Sequence, residues 1–148
     1  MQVSEKTIVI GSDHAGFSFK ETLKKYLQDK GLTVKDVGPE NTESCDYPVF
    51  AKKLCKLVLA ENIPGMLICG TGIGMSMTAN RFPGIRAAVC ANEYQCRMAR
   101  LHNDANVLCL GERVTGPGLA LSILDAFLET QFEGGRHKRR IDLIEPGD

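Results

Sequence analysis

The sequence has no apolar run near the roughly 20 residues that a membrane-spanning helix requires, which argues against a membrane protein. It has no excess charge of either sign, since 18 Lys and Arg balance 18 Asp and Glu. Broad electrostatic attraction to nucleic acid or to an anionic bilayer is therefore not expected. The opening residues, MQVSEKTIVIGS, have neither the basic flank nor the apolar stretch of a secretory signal, so a cytoplasmic protein is expected. Six cysteines are present (Cys45, Cys55, Cys69, Cys90, Cys96, Cys109), but no Cys-x-x-Cys pair and no Cys/His grouping with zinc spacing. A chain of 148 residues can also bury a self-supporting core without disulfide staples. Five of the cysteines read as small buried hydrophobes or incidental thiols; Cys69 is the exception. With no internal repeat, linker or low-complexity segment, one domain is expected over residues 1–148, of which about 134–148 form a basic tail.

What is present is an alternation of strand and helix patterns. Thr7–Ser12 is apolar throughout, as a strand covered on both faces should be. A helix is expected over His14–Lys30, with Leu23, Tyr26 and Leu27 on one face and Gly31 as its stop. A strand at Leu32–Val37 and a polar loop to Asp46 follow. Tyr47–Asn62 is helical, its buried face set by Phe50, Leu54, Leu57 and Val58. Met66–Cys69 is a third strand, with a glycine loop to Gly74 and a helix to Arg81. Strands at Arg86–Cys90 and Asn106–Leu110 bracket a helix at Asn92–Leu101. A last helix covers Gly118–Phe132, and the tail adds one more turn. The expected fold is therefore α/β: a three-layer α/β/α sandwich around a Rossmann-like, five-stranded parallel sheet. Ligands of such sheets bind beyond the carboxyl ends of the strands, which directs attention to Gly11–Gly16, Cys69–Gly74 and Gly111–Arg113.

The strongest chemical signal is Ile68-Cys69-Gly70-Thr71-Gly72-Ile73-Gly74. Its three glycines let backbone amides turn toward an anion at a helix start. Met75 stands where a dinucleotide fingerprint needs glycine, and the Lys-Ser/Thr of a P-loop is missing. A thiol at the mouth of this loop lies near the positive end of a helix, which favours thiolate, a nucleophile or a base. The loop alone does not separate that reading from a buried structural cysteine. In GSDHAG, Asp13 suits a helix N-cap, while His14 in a first turn suggests a bound anion. His102, between helix and strand, is by itself a good helix C-terminal residue. A basic run such as Arg136–Arg140 is usually a solvated face, although Arg136 and Arg140 would share one helical face and could clamp a phosphate.

Together these segments resemble the ribose-5-phosphate isomerase B / galactose-6-phosphate isomerase subunit family. The carriers are GSDHAG at 11–16, DYP at 46–48, ICGTGIG at 68–74, AN at 79–80, GIRAAVC at 84–90, HNDANVL at 102–108, GERV at 111–114 and EGGRHKRR at 133–140. The resemblance implies interconversion of ribose 5-phosphate and ribulose 5-phosphate through an enediolate, a step of the pentose phosphate pathway. It implies no metal or organic cofactor. It also implies a homodimer, alone or paired into a tetramer, with active sites shared between subunits. Carried over by position, Cys69 is the base that moves the proton, and His102 helps open the sugar ring, with Asp13 and Thr71 nearby. Amides of Gly70, Thr71, Gly72, Ile73 and Gly74, with Asn103, hold the enediolate oxygens. His14, Arg113, Arg136 and Arg140 grip the phosphate. Some members replace the cysteine by a glutamate just after the glycine loop; here that position is Met75, and Cys69 is present.

One expectation is topological. Cys69 ends a strand, whereas His102 precedes one, so in a parallel sheet they lie at opposite edges, roughly 17 Å apart for a five-residue strand. His102 and Asn103 are therefore expected to serve the Cys69 of a partner subunit. The competing readings are the same chemistry on galactose or allose 6-phosphate, a non-catalytic phosphosugar-binding module, and a redox or cysteine-nucleophile enzyme. The last lacks a resolving cysteine and any acyl-transfer motif.

Overall fold

Thr7–Ser12 forms β1, with every residue after Thr7 buried, as its unbroken apolar run requires. In the computed structural model, which describes residues 7–147, it is followed by α1 (Phe17–Asp29), β2 (Thr33–Asp36), α2 (Tyr47–Glu61) and β3 (Gly65–Cys69). The chain continues through α3 (Ile73–Ala79), β4 (Ala87–Val89), α4 (Glu93–Asn103), β5 (Val107–Gly111), α5 (Pro117–Glu129) and α6 (Arg136–Asp142). The strands form one parallel sheet in the order β2-β1-β3-β5-β4.

Successive strand residues point to opposite faces, and each face has its own core. Ile8, Ile10, Met66, Ile68, Leu108 and Leu110 meet Phe19, Leu23 and Leu27 of α1, Cys96 and Ala99 of α4, and Leu124 and Phe127 of α5. Val9, Leu67, Cys69, Val107 and Cys109 meet Ala51, Leu54, Cys55 and Val58 of α2 and Met75 and Ala79 of α3. The three-layer α/β/α sandwich is thus as expected, and Cys69 points to the α2/α3 side. Each fully buried aliphatic side chain contributes about 1.5–3 kcal/mol, so these two layers carry most of the driving force.

Several boundaries differ from expectation, each for a local reason. Helix α1 starts at Phe17 rather than His14, because residues 13–16 form a turn in which the Asp13 carboxylate accepts the Gly16 N–H at 2.9 Å. Asp13 is consequently not the N-cap, and His14 lies before the first helical turn. Helix α4 runs on to Asn103, so His102 and Asn103 are helical rather than connecting residues. The stop is Asp104 in the left-handed region (φ 45°), its carboxylate held by Arg100 at 2.7 Å. Helix α5 ends at Glu129, before Phe132, and the Glu133 N–H is donated to the Leu101 carbonyl at 3.1 Å. The tail is a helix of seven residues, more than one turn, and the α3 helix stops at Ala79 rather than Arg81.

A buried cation was not anticipated. Lys20 is fully buried on α1, and its Nζ donates at 2.8 Å to Asp36 at the end of β2 and to the Pro39 carbonyl. Burial opposes ionisation of Asp36, but the Lys20 ammonium, the Gly38 N–H and Lys24 outweigh it and hold the carboxyl below its ordinary value. This cluster fixes the start of the loop after β2, which returns to the candidate site.

Candidate active site

The strand order makes neighbours of the three loops singled out by sequence. β1, β3 and β5 lie side by side, with Ser12 opposite Ile68 and Cys69 opposite Gly111, so all three loops emerge together at the carboxyl edge. The sheet's direction of growth reverses around β1, and such a switch point opens a crevice.

Cys69 is the last residue of β3 and only 6% exposed. Its Sγ accepts the Gly72 N–H at 3.0 Å, which fixes the sulfur inside the turn. Gly72 has φ +84°, a conformation costly for any residue with a β-carbon. The Thr71 hydroxyl accepts the Ile73 N–H at 3.2 Å. Two of the five amides expected to face a ligand therefore have partners within the loop. The loop is clasped from β5: the Arg113 N–H is donated to the Gly70 carbonyl at 3.0 Å. The Arg113 guanidinium lies against Gly70, Nη1 being 3.4 Å from where a β-carbon would sit. Gly111 admits this contact, since a β-carbon there would lie 2.6 Å from the Thr71 carbonyl oxygen.

Asp13 and His14 border the same edge. The Asp13 N–H is donated to the Ile68 carbonyl at 3.1 Å, tying it to the residue before Cys69. His14 Nδ1 accepts the Cys45 N–H at 3.2 Å, which orients the ring and leaves its other nitrogen outside that contact. Two other thiols packed on the same face as Cys69 are held protonated: burial pushes Cys55 of α2 up to about 12, and Cys109 of β5 well above its ordinary value.

The remaining predicted residues lie elsewhere. His102 and Asn103 end α4, ahead of Val107, which pairs with Gly65 at the amino edge of the sheet. They are thus separated from Cys69 by the length of β5, as the topology required. The His102 ring stacks on His137 of α6, with centroids 4.3 Å apart and planes 13° from parallel. Arg136 and Arg140 are both exposed on that helix. The structure thus divides the expected site residues into two groups: Cys69, Gly70–Gly74, Asp13, His14 and Arg113 at one edge, and His102, Asn103, Arg136 and Arg140 toward the other. Sequence reasoning gave no role to His137 or Glu133, because only the return of the tail onto α4 brings them to His102.

The sequence and the fold have counterparts among known proteins. A family model described as Ribose/Galactose Isomerase matches residues 8–144. The chain belongs to that family. It is 45% identical over 140 residues to ribose-5-phosphate isomerase B of Escherichia coli K12, covering 94% of each chain. The structure of Clostridium thermocellum ribose-5-phosphate isomerase B superposes with a TM-score of 0.92 at 50% identity, covering 93% of this chain and 94% of that one. The Mycoplasma genitalium ribose-5-phosphate isomerase B, solved with bound ribulose-5-phosphate, gives a TM-score of 0.89 at 42% identity, covering 93% of both. Family membership makes the chain an isomerase. Among the described residues, no helix is long and apolar enough to cross a membrane.

Proposed function

We propose that the protein interconverts ribose 5-phosphate and ribulose 5-phosphate, with the Cys69 thiolate as the mobile base. The observation that carries this reading is Cys69 Sγ held at 3.0 Å by the Gly72 N–H, in a loop bordered by Asp13, His14 and Arg113. His102 assists opening of the furanose ring. Cys69 then removes the proton from C2 of the open aldose, and the electron pair forms the C1–C2 double bond of an enediolate. The same thiol returns the proton to C1, while the O2 proton moves to O1 and C2 becomes the carbonyl. Thr71 and Asp13 border the reacting carbons, and loop amides of Gly70–Gly74, with Asn103, stabilise the enediolate oxygens. His14, Arg113, Arg136 and Arg140 hold the phosphate, whose binding energy orients the sugar.

The two groups of site residues support a homodimer in which His102, Asn103, Arg136 and Arg140 complete the Cys69 pocket of the partner. Exposed apolar side chains around the glycine loop support the same arrangement: Ile73, Met77 (66% exposed), Val89 and Tyr94 (59% exposed). A soluble sugar-phosphate substrate agrees with a cytoplasmic location.

The test is conversion of ribose 5-phosphate by purified protein and by Cys69→Ala, each with and without a chelator. Activity that survives chelation and collapses in the variant supports the reading. Inactive wild-type protein, or turnover of a six-carbon sugar phosphate alone, overturns the substrate assignment.

A further inference from the structure

We propose that His102, Glu133 and His137 form a binding site for a divalent transition-metal cation, and that filling it inhibits the enzyme by withdrawing His102. The sequence offers no Cys/His grouping with zinc spacing, but the fold assembles a three-donor set of another kind. One ligand atom from each of the three side chains lies within 4.8 Å of the others. The independent sign is His137. Its ring is 5% exposed, yet among the described residues its Nε2 has no hydrogen-bond partner. A buried ring nitrogen without a partner is uncommon in a native fold and calls for a ligand. The Glu133 carboxylate is 3.6 Å from it, too far for a hydrogen bond but close enough to share a cation.

The backbone around the cluster is fixed. The Glu133 N–H is donated to the Leu101 carbonyl, beside His102, and the His137 N–H to the Gly134 carbonyl, both at 3.1 Å. Metal–nitrogen and metal–oxygen bonds of about 2.0–2.1 Å put tetrahedral donors about 3.4 Å apart, so atoms that lie within 4.8 Å of one another must draw together by up to about 1.4 Å. Buried His137 serves as the anchor, while half-exposed His102 and exposed Glu133 can move. Rings only 13° from parallel have in-plane lone pairs that do not converge, so His102 must tilt out of the stack to bind. The ligand class follows from the donors. Two imidazoles and a carboxylate suit zinc, cobalt, nickel or copper. The neighbouring Arg136, Lys138, Arg139 and Arg140 repel a hard cation held by charge alone, which disfavours calcium and magnesium. Three protein ligands leave a fourth position for water. A His102 nitrogen bound to metal no longer exchanges a proton with the sugar ring; this consequence, unlike the site, rests on the role proposed above for His102.

The experiment titrates cobalt(II), a coloured surrogate for zinc, into the metal-free full-length protein. The readouts are visible d–d absorption, near-ultraviolet thiolate charge transfer, and isomerase activity at each step. The expected result is one cobalt per chain, a tetrahedral visible band without thiolate absorption, displacement by zinc, and loss of activity in step with occupancy that a chelator reverses. Glu133→Gln, at an exposed position, weakens cobalt binding at least about tenfold, and His137→Gln abolishes the band. Absence of the band, its persistence in both variants, or thiolate absorption from Cys69 overturns the site. A filled site with undiminished activity overturns the inhibition. Failure of the isomerase reading is separable, because it appears as inactivity of the metal-free protein while the band is unaffected.

Discussion

Gly72 donates its N–H to Cys69 Sγ at 3.0 Å, and its φ of +84° is what turns that N–H back onto the sulfur. A β-carbon at Gly72 would also lie 3.1 Å from the Leu110 carbonyl carbon. Gly72→Ala is therefore expected to cost about 1–2 kcal/mol of stability from the left-handed backbone. Displacement of the sulfur lowers kcat on the order of 100-fold. Thermal unfolding and steady-state kinetics check the two effects, and an active variant with a shifted Tm would detach Gly72 from the chemistry.

Thiol reactivity separates the cysteines. Half-exposed Cys45 is expected to alkylate first, and buried Cys69 to react more slowly and to gain protection from sugar phosphate. Cys55 and Cys109 stay unlabelled near neutral pH, because burial pushes Cys55 up to about 12 and Cys109 well upward. Peptide mapping after timed iodoacetamide treatment reads the order. On the base role proposed for Cys69, Cys69→Ala is expected to lower kcat by about 10²–10⁴.

The Lys20–Asp36 pair predicts acid sensitivity of a definite sign. Asp36 is held below its ordinary value in the folded protein, so its stabilisation is present above the unfolded value of about 3.9 and is lost as pH falls through the lower folded value. Denaturant unfolding between neutral pH and pH 3 should show this decline, and Asp36→Asn should flatten it. That substitution also leaves the fully buried Lys20 with a weaker partner, at a cost of about 3–5 kcal/mol. Equal acid slopes in the two proteins would assign the decline to other carboxylates.

The proposed sharing of active sites between subunits predicts complementation between inactive proteins. Cys69→Ala and His102→Ala homodimers are each expected to be inactive. Exchange of subunits makes half the dimers mixed, each with one intact site, so about a quarter of wild-type activity returns. No recovery after verified exchange would mean that Cys69 and His102 act within one chain.

The sequence by itself determined the alternation of elements, the parallel sheet and the loops that carry chemistry, because buried strands and amphipathic helices leave local patterns. Ile8–Ile10 on β1 and Leu54 and Val58 on α2 are buried as that pattern requires. It also determined that Cys69 and His102 lie at opposite ends of parallel strands, a consequence of chain direction alone. Tertiary structure decided what depends on contacts between distant segments. The order β2-β1-β3-β5-β4, which makes neighbours of the three loops, is set by packing between layers. Buried Lys20 reads locally as an ordinary solvated helix cation, and it is Asp36 and the Pro39 carbonyl, distant in sequence, that accept its hydrogen bonds and make its burial tolerable. The His102–His137 stack exists because the Glu133 N–H binds the Leu101 carbonyl and folds the tail back over α4. No periodicity in a linear sequence encodes that contact.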